Sequence, residues 1–425
     1  MRAVEGALRR FTAWVEAYGE TSYDHQSFFA GGLGRRAKAL YYRMPWLGTL
    51  AVAPMIFGEA FVPSTRCLFG RRQRFPIADA HYAMGFATLA DVWGDGKHYA
   101  RATHFLEILQ RTRSAGYDDY CWGYPFTWQT RAGSIPAGTP LITSLPYMYE
   151  AFAQVRALDG DPKQGCVMRS IAHHAHTAYR ELETGPDRAS CGYTPAPNDP
   201  CGVVNASAYR AFLLTRAAVD FSEPRYAEAA RRNLNYVLDA QNGDGSWHYA
   251  TDGSRHFVDH FHTCFVLKAL AKIEQLTGNS ACGQALARGV EYYVEKLFDG
   301  QGLPVPFARA PRLTVYRREL YDYAECINLG VLLRGRFPRL DARVDGVMSD
   351  LLDRWQKPDG SFRSRELVRG WDNVPMHRWA QSQVFRSLCC VLRAASPVSG
   401  HGSAMAGTRS SGHPTTRAAE PARAD

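Results

Sequence analysis

The sequence lacks the short motifs that mark several common protein classes. Its ten cysteines include no Cys-x-x-Cys pair, so a zinc ribbon or a dithiol redox centre is not indicated. The chain has no Gly-x-x-x-x-Gly-Lys-Ser/Thr loop, no Gly-x-Gly-x-x-Gly after a predicted strand and no Gly-x-Ser-x-Gly turn, so it carries no nucleotide signature. The scattered cysteines indicate buried free thiols in a reducing compartment.

Long apolar runs are also missing. Segment 44–58 contains no charged residue, but prolines and glycines interrupt it and Glu59 follows it. It is shorter than the roughly 20 residues that span a bilayer, so we expect a buried or interfacial helix over 46–61. Basic residues precede this segment, which leaves peripheral membrane contact by residues 44–61 open: Arg35, Arg36, Lys38 and Arg43.

The N-terminus does not read as a targeting segment. Glu5 and Glu16 lie within an amphipathic pattern over residues 1–19, which has no uninterrupted apolar core. A signal peptide needs such a core. Together with the free thiols, this predicts a cytoplasmic location.

The basic excess is local. The formal net charge is +9, and much of it comes from short stretches such as 35–36 and 71–74. No basic run is interleaved with aromatic residues, so a nucleic-acid partner is not predicted. An acidic polymer such as a uronic-acid polysaccharide, or an anionic membrane surface, fits the charge equally well.

Two series of connections recur along the chain. Most apolar residues follow helical spacing, and few convincing alternating strands are present. Short connections lie near 94, 159, 222, 278 and 337, and long aromatic ones near 123, 185, 243, 300 and 360. Both series have a period of about 60 residues, which indicates one helical hairpin per repeat.

These repeats predict an all-α fold. Five hairpins are visible, and the stretch up to Trp93 supplies a sixth, less regular one with an added helix. Six hairpins are the number in an (α/α)6 toroid, with short loops on one face and long loops around the mouth of a central cavity. We predict one domain over residues 1–395. Residues 396–425 are rich in Ser, Gly, Pro, Ala and Thr and predict a disordered tail.

In such a fold, functional groups come from the long loops and from the first turn of the helix after each loop. Asp259 and His262 are three residues apart and share a helix face. A carboxylate and an imidazole in this arrangement can perform proton transfer. Alternatively, Asp259 only caps the helix.

Other carboxylates are further catalytic candidates. Asp322 and Glu325 have the same spacing and could act as a pair on a glycosidic bond, or could serve as a cap and a solvated face. Asp118 and Asp119 open the loop that is richest in polar and aromatic residues. We expect these four carboxylates to be available for catalysis.

Aromatic and polar residues of the long loops are candidates for substrate binding, since aromatic faces can stack on sugar rings. Loop packing would produce the same composition. The predicted substrate-binding residues are Trp122, Tyr124, Trp128, Gln129, Arg131, Asn205, Trp247, Tyr249, Tyr323, Trp371 and Arg378.

Metal sites are weakly indicated. The histidines of 173–176 lie within one predicted helix and do not share a face. His260, His262 and Cys264 could supply zinc ligands, but no second cluster has the required spacing. We predict neither a metal nor another cofactor.

A Gln-x-x-Asp-Gly-Ser-aromatic turn occurs at 241–247 and again at 356–362. These turns are similar to those of the prenyltransferase and squalene-cyclase repeat superfamily, a group of helical toroids. The Asp-x-Asp-Asp acid of squalene–hopene cyclases is missing, which argues against terpene cyclisation.

More specifically, the chain resembles the VpsJ-type proteins of bacterial exopolysaccharide biosynthesis. The resemblance covers roughly residues 20–275 and implies a place in polysaccharide production or modification, without assigning a reaction. It rests on these collinear segments: Cys121-Trp122-Gly123-Tyr124-Pro125-Phe126-Thr127-Trp128-Gln129, Tyr193-Thr194-Pro195, Val204-Asn205-Ala206, 241–247 and Asp259-His260-Phe261-His262-Thr263.

The leading hypothesis is a carbohydrate-active toroid that trims or modifies a polysaccharide or its lipid-linked precursor. A hydrolase would use two of the carboxylates and is slightly favoured. A lyase or epimerase would need a base such as Tyr or His beside a group that neutralises a uronate, and the candidates for these roles are Asn205, His262, Tyr323 and Arg378. The alternatives are a non-catalytic polysaccharide-binding or assembly protein and an isoprenoid-binding, terpenoid-cyclase-like protein.

Overall fold

The structure, a computed structural model, describes residues 1–311 and 314–396. Twelve long helices alternate between an outer and an inner position along the chain. The outer helices are α1 (Arg2–Tyr18), α6 (Gly96–Arg111), α8 (Pro162–Thr177), α10 (Pro224–Asp239), α12 (Ser280–Lys296) and α14 (Pro338–Asp350). The inner helices are α5 (Pro76–Trp93), α7 (Leu145–Asp159), α9 (Val204–Phe221), α11 (His260–Thr277), α13 (Leu320–Leu332) and α15 (Ser382–Ala395).

The inner helices close into a ring. Each packs against the next in chain order, and the last, α15, packs against the first, α5. Every residue from 77 to 89 in α5 is buried, because an inner helix is enclosed by its neighbours, its outer partner and the ring interior. Outer helices bury a single stripe with helical spacing, as α10 does with Tyr226, Ala229, Ala230 and Leu234. The predicted (α/α)6 toroid is confirmed.

The two faces of the ring differ as predicted. Inner helices pass to outer helices through short turns, several of which pair a left-handed glycine such as Gly94 or Gly278 with the start of the next helix. This is the usual C-cap solution. Outer helices return to inner ones through the long loops.

The long loops carry short antiparallel strands. Their bounds are β1 Trp128–Thr130, β2 Gly133–Ile135, β3 Glu181–Gly185, β4 Arg188–Cys191, β5 Val258–Asp259, β6 Phe307–Arg309, β7 Tyr316–Glu319, β8 Arg365–Leu367 and β9 Trp371–Asp372. Strands β1 and β2 form one hairpin, and β3 and β4 form a second. Strand β5 pairs with β6, and β7–β8–β9 form a three-stranded sheet.

The sixth helix pair joins the two ends of the chain, because α1 packs against α15 rather than forming a hairpin within the stretch up to Trp93. A larger insertion than expected separates α1 from α5. Instead of one added helix, the insertion holds α2 (Ser27–Ala30), α3 (Gly32–Arg43), α4 (Pro45–Phe61) and a 3-10 turn over Pro63–Leu68. Helix α4 matches the helix expected over 46–61. Within the described residues, no helix is both long enough and apolar enough to cross a membrane.

The repeated Gln-x-x-Asp-Gly-Ser-aromatic turns fasten neighbouring outer helices together. The Gln241 amide donates to the carbonyl oxygens of Gly245 (3.0 Å) and Ala285 (2.9 Å), the latter in α12. The Gln356 amide donates equally to Gly360 (3.0 Å) and to Ala7 in α1 (3.0 Å). The second turn therefore ties the last outer helix to the first and closes the ring.

Gly360 is required by this closure. Its φ is +94°, and a Cβ there would lie 2.4 Å from the carbonyl oxygen of Arg10. Gly360→Ala should therefore lower the free energy of unfolding by about 2 kcal/mol or more, measured by chemical denaturation. The matched control is Gly346→Ala in α14, where a Cβ meets nothing within 4 Å, and it should raise stability by about 0.5–1 kcal/mol. Equal stability of the two variants would contradict this account.

Residues 397–425, which make up nearly all of the predicted disordered tail 396–425, lie outside the described residues. The predicted domain boundary at residue 395 therefore stays a prediction.

Candidate active site at the mouth of the ring

Asp259 and His262 form a hydrogen-bonded pair at the mouth. Asp259 ends β5 and caps α11, because its Oδ1 accepts the His262 backbone N–H at 3.0 Å. Its Oδ2 lies 2.6 Å from His262 Nδ1. The cap and the acid–imidazole pair, which the sequence offers as alternatives, are one arrangement. With Nδ1 held by the carboxylate, Nε2 is the nitrogen left for exchange with a ligand.

The pair borders a narrow pocket. Asn205 and Trp247 line it together with Tyr249, Asp259 and His262. Asn205 is buried, and its Oδ1 has no hydrogen-bond partner, so a polar acceptor faces this region without an internal donor. The imidazole of His262 is about one-fifth exposed, whereas the Asp259 carboxylate is buried. The residue that can exchange protons is thus the one that is accessible.

An aromatic belt extends from the pocket around the mouth. The Tyr321 and Trp379 rings stack with an interplanar angle of 6° and centroids 5.8 Å apart. Phe261 links Tyr321 (5.0 Å) to His262 (4.4 Å). We define the aromatic belt as Tyr124, Trp128, Tyr193, Tyr249, Phe257, Phe261, Tyr321 and Trp379, whose rings contact one another, His262 or Arg378.

Arg378 joins two parts of the belt. Its guanidinium carbon lies 3.6 Å from the Trp379 ring centroid and 4.5 Å from that of Tyr124. The same group makes two hydrogen bonds with the Asp24 carboxylate, at 2.7 and 2.5 Å. Arg378 is buried, so its charge is balanced by Asp24 and it orders the aromatic rings on both sides.

Asp322 is a buried carboxyl group beside this site. It is fully buried in the first turn of α13, and neither carboxylate oxygen has a hydrogen-bond partner. Burial raises the pKa of Asp322 well above its usual range, and the nearby charges of Glu319 and Asp259 raise it further against the effect of Arg365. These surroundings favour the protonated form of the Asp322 carboxyl group.

Glu325 lies deeper in the ring. Its carboxylate is paired with the buried ammonium of Lys268. The same ammonium donates to the Tyr147 hydroxyl at 3.4 Å, and a second pair, Lys272 with Glu150, lies next to it. Glu325 and Asp322 share a face, as predicted, but Glu325 is held by a lysine rather than left free at the mouth.

Several predicted site residues are placed elsewhere by the structure. Asp119 accepts from Ser170 Oγ (2.8 Å) and lies 2.7 Å from His173 Nδ1, both on the outer helix α8, and Asp118 is exposed beside it. The structure does not bring these two carboxylates together with Asp259.

The predicted binding residues divide into two groups. Tyr124, Trp128, Asn205 and Tyr249 lie in the belt or the pocket, and Arg378 contacts the belt. Trp247 lines the pocket while its indole N–H donates to the Val237 carbonyl oxygen. The others lie apart from the pocket. Trp122 is a core residue whose indole N–H donates to the Leu109 carbonyl oxygen, and the Tyr323 hydroxyl donates to Asp350. Trp371 packs on Trp355. Gln129 accepts from the Ser134 hydroxyl in the β1–β2 hairpin, where Arg131 is exposed.

The zinc ligands considered from the sequence do not converge. His260 Nε2 lies 2.6 Å from the Tyr293 hydroxyl on α12, and burial lowers the pKa of His260 to about 3. Within residues 1–311 and 314–396, no group of three or more His, Cys, Asp or Glu side chains is arranged to hold a metal ion.

A buried ion-pair cluster joins the insertion to the mouth. The Arg66 guanidinium binds Glu59 of α4 at 2.8 and 2.6 Å and Asp372 of β9 at 2.7 Å. Arg365 of β8 binds Glu319 at 2.9 Å and Glu59 at 3.2 Å. His25 completes the buried ion-pair cluster, lying 3.2 Å from Glu319 and 3.5 Å from Asp372.

This cluster should make stability depend on acid pH. Although burial opposes it, Arg66 and His25 lower the pKa of Asp372 from 3.8 to about 2. In the same way, burial raises the pKa of Glu319, but Arg365 and His25 outweigh it and lower this pKa from 4.5 to about 2. A lowered folded-state pKa stabilises the fold above the unfolded-state value and loses that contribution as pH falls toward the folded-state value. The free energy of unfolding should therefore fall between about pH 4.5 and pH 2.

Urea denaturation at pH 6, 4 and 3 measures this decline. Asp372→Asn removes one of the two titrating groups, so its stability should depend less steeply on pH over the same interval. An identical slope in the two proteins would contradict the assignment.

Sequence reasoning missed Phe261, Trp379 and Lys268 as parts of the mouth and its floor. The first two occupy the first-turn positions after long loops, so the rule that found His262 could have found them. Lys268 lies in the third turn of α11, and only the packing of α11 against α13 shows that it faces Glu325.

Solved structures with the same fold include enzymes of different reaction types. Cellobiose 2-epimerase from Bacillus thermoamylovorans is 9% identical, with a TM-score of 0.58 over 75% of this chain and 87% of that one. A polysaccharide lyase is 11% identical, with a TM-score of 0.54 over 80% and 96%. An inactive variant of an α-1,6-mannanase of Salegentibacter, in complex with α-1,6-mannotriose, is 11% identical, with a TM-score of 0.53 over 77% and 90%.

At identities this low, the structural matches show a shared fold and no more. No protein-family model matches the chain, and no curated protein matches it. The resemblance to VpsJ-type proteins therefore stays a prediction.

Proposed function

We propose that this chain is a carbohydrate-active enzyme that modifies or cleaves a polysaccharide or a lipid-linked oligosaccharide in bacterial exopolysaccharide biosynthesis. The observation that carries the proposal is the Asp259–His262 pair, which opens onto the aromatic belt. The fold supports it, because solved toroids of this kind include a sugar epimerase, a polysaccharide lyase and a mannanase.

In this proposal, His262 is the general acid–base residue. Asp259 fixes the imidazole through Nδ1 at 2.6 Å, so Nε2 can accept or return a proton at the sugar. The aromatic belt offers flat faces for sugar rings. The geometry favours proton transfer, as in an epimerase or a lyase, over the hydrolase that the sequence slightly favours.

Hydrolysis is the second candidate because the mouth contains two carboxyl groups in different surroundings. Burial raises the pKa of Asp322 well above its usual range, whereas the Asp259 carboxylate is hydrogen-bonded to the backbone N–H and the Nδ1 of His262. Glycoside hydrolysis uses two carboxyl groups in different roles, one of them as the acid. Asp322 is fully buried, however, whereas His262 is accessible, and this difference places hydrolysis second.

The remaining alternatives predict different properties. A mouth that contains Asp24, Arg378, Asp259 and His262 beside its aromatic residues suits a polar saccharide better than an isoprenoid chain. A non-catalytic assembly protein would keep polymer output unchanged in Asp259→Asn. The free cysteines support the proposed cytoplasmic location.

The test is incubation of the purified protein with the polymer of its own host, in H2O and in D2O, followed by product analysis. New reducing ends show hydrolysis, and absorbance from an unsaturated uronate shows elimination. Deuterium incorporation at a sugar carbon without cleavage shows epimerisation. Binding without any of these three products would overturn the proposal of an enzyme.

A further inference from the structure

Helix α4 presents an apolar stripe to solvent. Trp46 is 68% exposed, Leu50 67% and Phe57 60%. Surface helices of soluble proteins normally turn such residues inward. We define the apolar stripe as the exposed residues at helical spacing along α4: Trp46, Leu50, Ala53, Pro54, Phe57 and Phe61.

The insertion concentrates exposed apolar residues. Of the 14 large hydrophobic residues that are exposed in the described chain, nine lie between residues 33 and 69. Leu33 and Leu68 are 79% and 78% exposed. Their segments meet near the C-terminal end of α4, where a Cβ on Gly31 would lie 3.9 Å from the Phe69 carbonyl oxygen, so both add exposed apolar residues at that end. Contiguous exposed apolar surface of this kind marks an interaction site.

The same insertion carries most of the chain's net charge. Residues 19–75, between α1 and α5, contain eight Lys or Arg and three acidic residues, a net charge of +5 against +9 for the whole chain. One of the acidic residues, Glu59, is buried in the ion-pair cluster with Arg66. Arg36, Arg43 and Arg71 are exposed, so the insertion that carries the apolar stripe also presents basic groups to solvent.

The insertion is fixed rigidly to the mouth side of the ring. Helices α3 and α4 cross so closely that a Cβ on Gly48 would lie 2.0 Å from the Tyr41 Cα, and one on Gly58 would lie 3.0 Å from the Phe28 ring. Helix α3 also contacts β1 beside the belt residue Trp128. The exposed stripe is therefore a defined surface of the folded protein.

We propose that the α3–α4 hairpin docks onto an anionic phospholipid bilayer, with α4 lying in the plane of the interface. Seventeen residues make a helix about 25 Å long, and Trp and Phe side chains beside basic groups are typical of interfacial helices. This inference does not depend on the reaction at the mouth, but it would bring that mouth close to lipid-linked saccharides.

Two other occupants are less suited to the stripe. A second copy of the chain would bring two insertions of charge +5 together, and like charges repel. Residues 397–425 contain no Leu, Ile or aromatic residue, so they offer little apolar surface to cover it.

Vesicle flotation with the full chain tests the proposal. The protein should float with phosphatidylcholine–phosphatidylglycerol vesicles and less with phosphatidylcholine alone. Binding should weaken as NaCl rises from 0.1 to 1 M, because the Debye length shrinks from about 10 to about 3 Å. The triple variant Trp46→Ser, Phe57→Ser, Phe61→Ser should lower the partition coefficient of the protein between vesicles and solution by about tenfold or more.

The matched control is Leu182→Ser with Val219→Ser, which removes exposed apolar residues outside the insertion and should leave binding unchanged. Arg36→Ser with Arg43→Ser and Arg71→Ser should remove the preference for the anionic lipid. Failure to bind vesicles, or equal binding by the triple variant, would overturn the proposal. A dimer that the triple variant dissociates, without vesicle binding, would assign the stripe to a second copy instead.

Discussion

His262→Gln should lower the rate of the saccharide reaction by about 10²–10⁴-fold, the usual contribution of a general acid–base residue. Glutamine keeps a polar side chain of similar reach but cannot take up a proton near neutral pH. The thermal midpoint should change little, because His262 is partly exposed and its backbone N–H still reaches the Asp259 carboxylate. The measurement is the initial rate on the host polymer, with circular dichroism as a check on folding.

Asp259→Asn tests the role of the carboxylate separately. The amide can still accept the backbone N–H that caps α11, but it no longer favours the Nδ1-protonated imidazole. We expect a large loss of rate with a modest loss of stability, together with a changed pH–rate profile. A residue that acts only as a cap would leave the pH–rate profile unchanged.

The chain supplies a matched control for the imidazole. His173 pairs with Asp119 at 2.7 Å on the outer helix α8, so its local geometry resembles that of His262 while its place in the ring differs. His173→Gln should leave the rate unchanged. Full activity of His262→Gln, or equal losses in both histidine variants, would contradict the assignment of the base.

The architecture could be predicted because it depends on local signals. Glycines and prolines at helix ends, such as Gly94 and Pro224, mark each turn of the repeat, and their period of about 60 residues fixes the number of hairpins. The insertion between α1 and α5 could not be counted in this way because it belongs to no repeat. Its contacts with the mouth, such as that of Arg66 with Asp372, join residues that are distant in the sequence.

The site was less predictable because side-chain partners come from other repeats. Asp259 and His262 are close in sequence and form the pair that their spacing predicts. Asp119 is an aspartate like Asp259 and also lies in a polar loop. Its partners Ser170 and His173, however, lie about 50 residues away in the sequence, on α8. Loop composition shows which face carries polar groups, whereas ring packing decides which of them point to the mouth.

Arg66→Met should lower the free energy of unfolding by about 3–5 kcal/mol, the effect expected when one partner of a buried ion pair is removed. Arg66 is buried and binds Glu59 and Asp372, which are also buried. Methionine fills much of the volume but leaves two carboxylates without their main counter-charge. Because the cluster connects the insertion to the β7–β9 sheet, we also expect looser attachment of the α3–α4 hairpin, measured by hydrogen exchange.

Two further variants separate charge compensation from loss of packing. Arg354→Met removes an arginine that pairs with Asp350 and Glu366 at a more exposed position, and such pairs contribute at most about 1 kcal/mol. Combining Arg66→Met with Glu59→Gln and Asp372→Asn removes the stranded charges, so it should recover part of the lost stability. If the triple variant is no more stable than Arg66→Met alone, packing of the Arg66 side chain rather than its charge holds the insertion against the mouth.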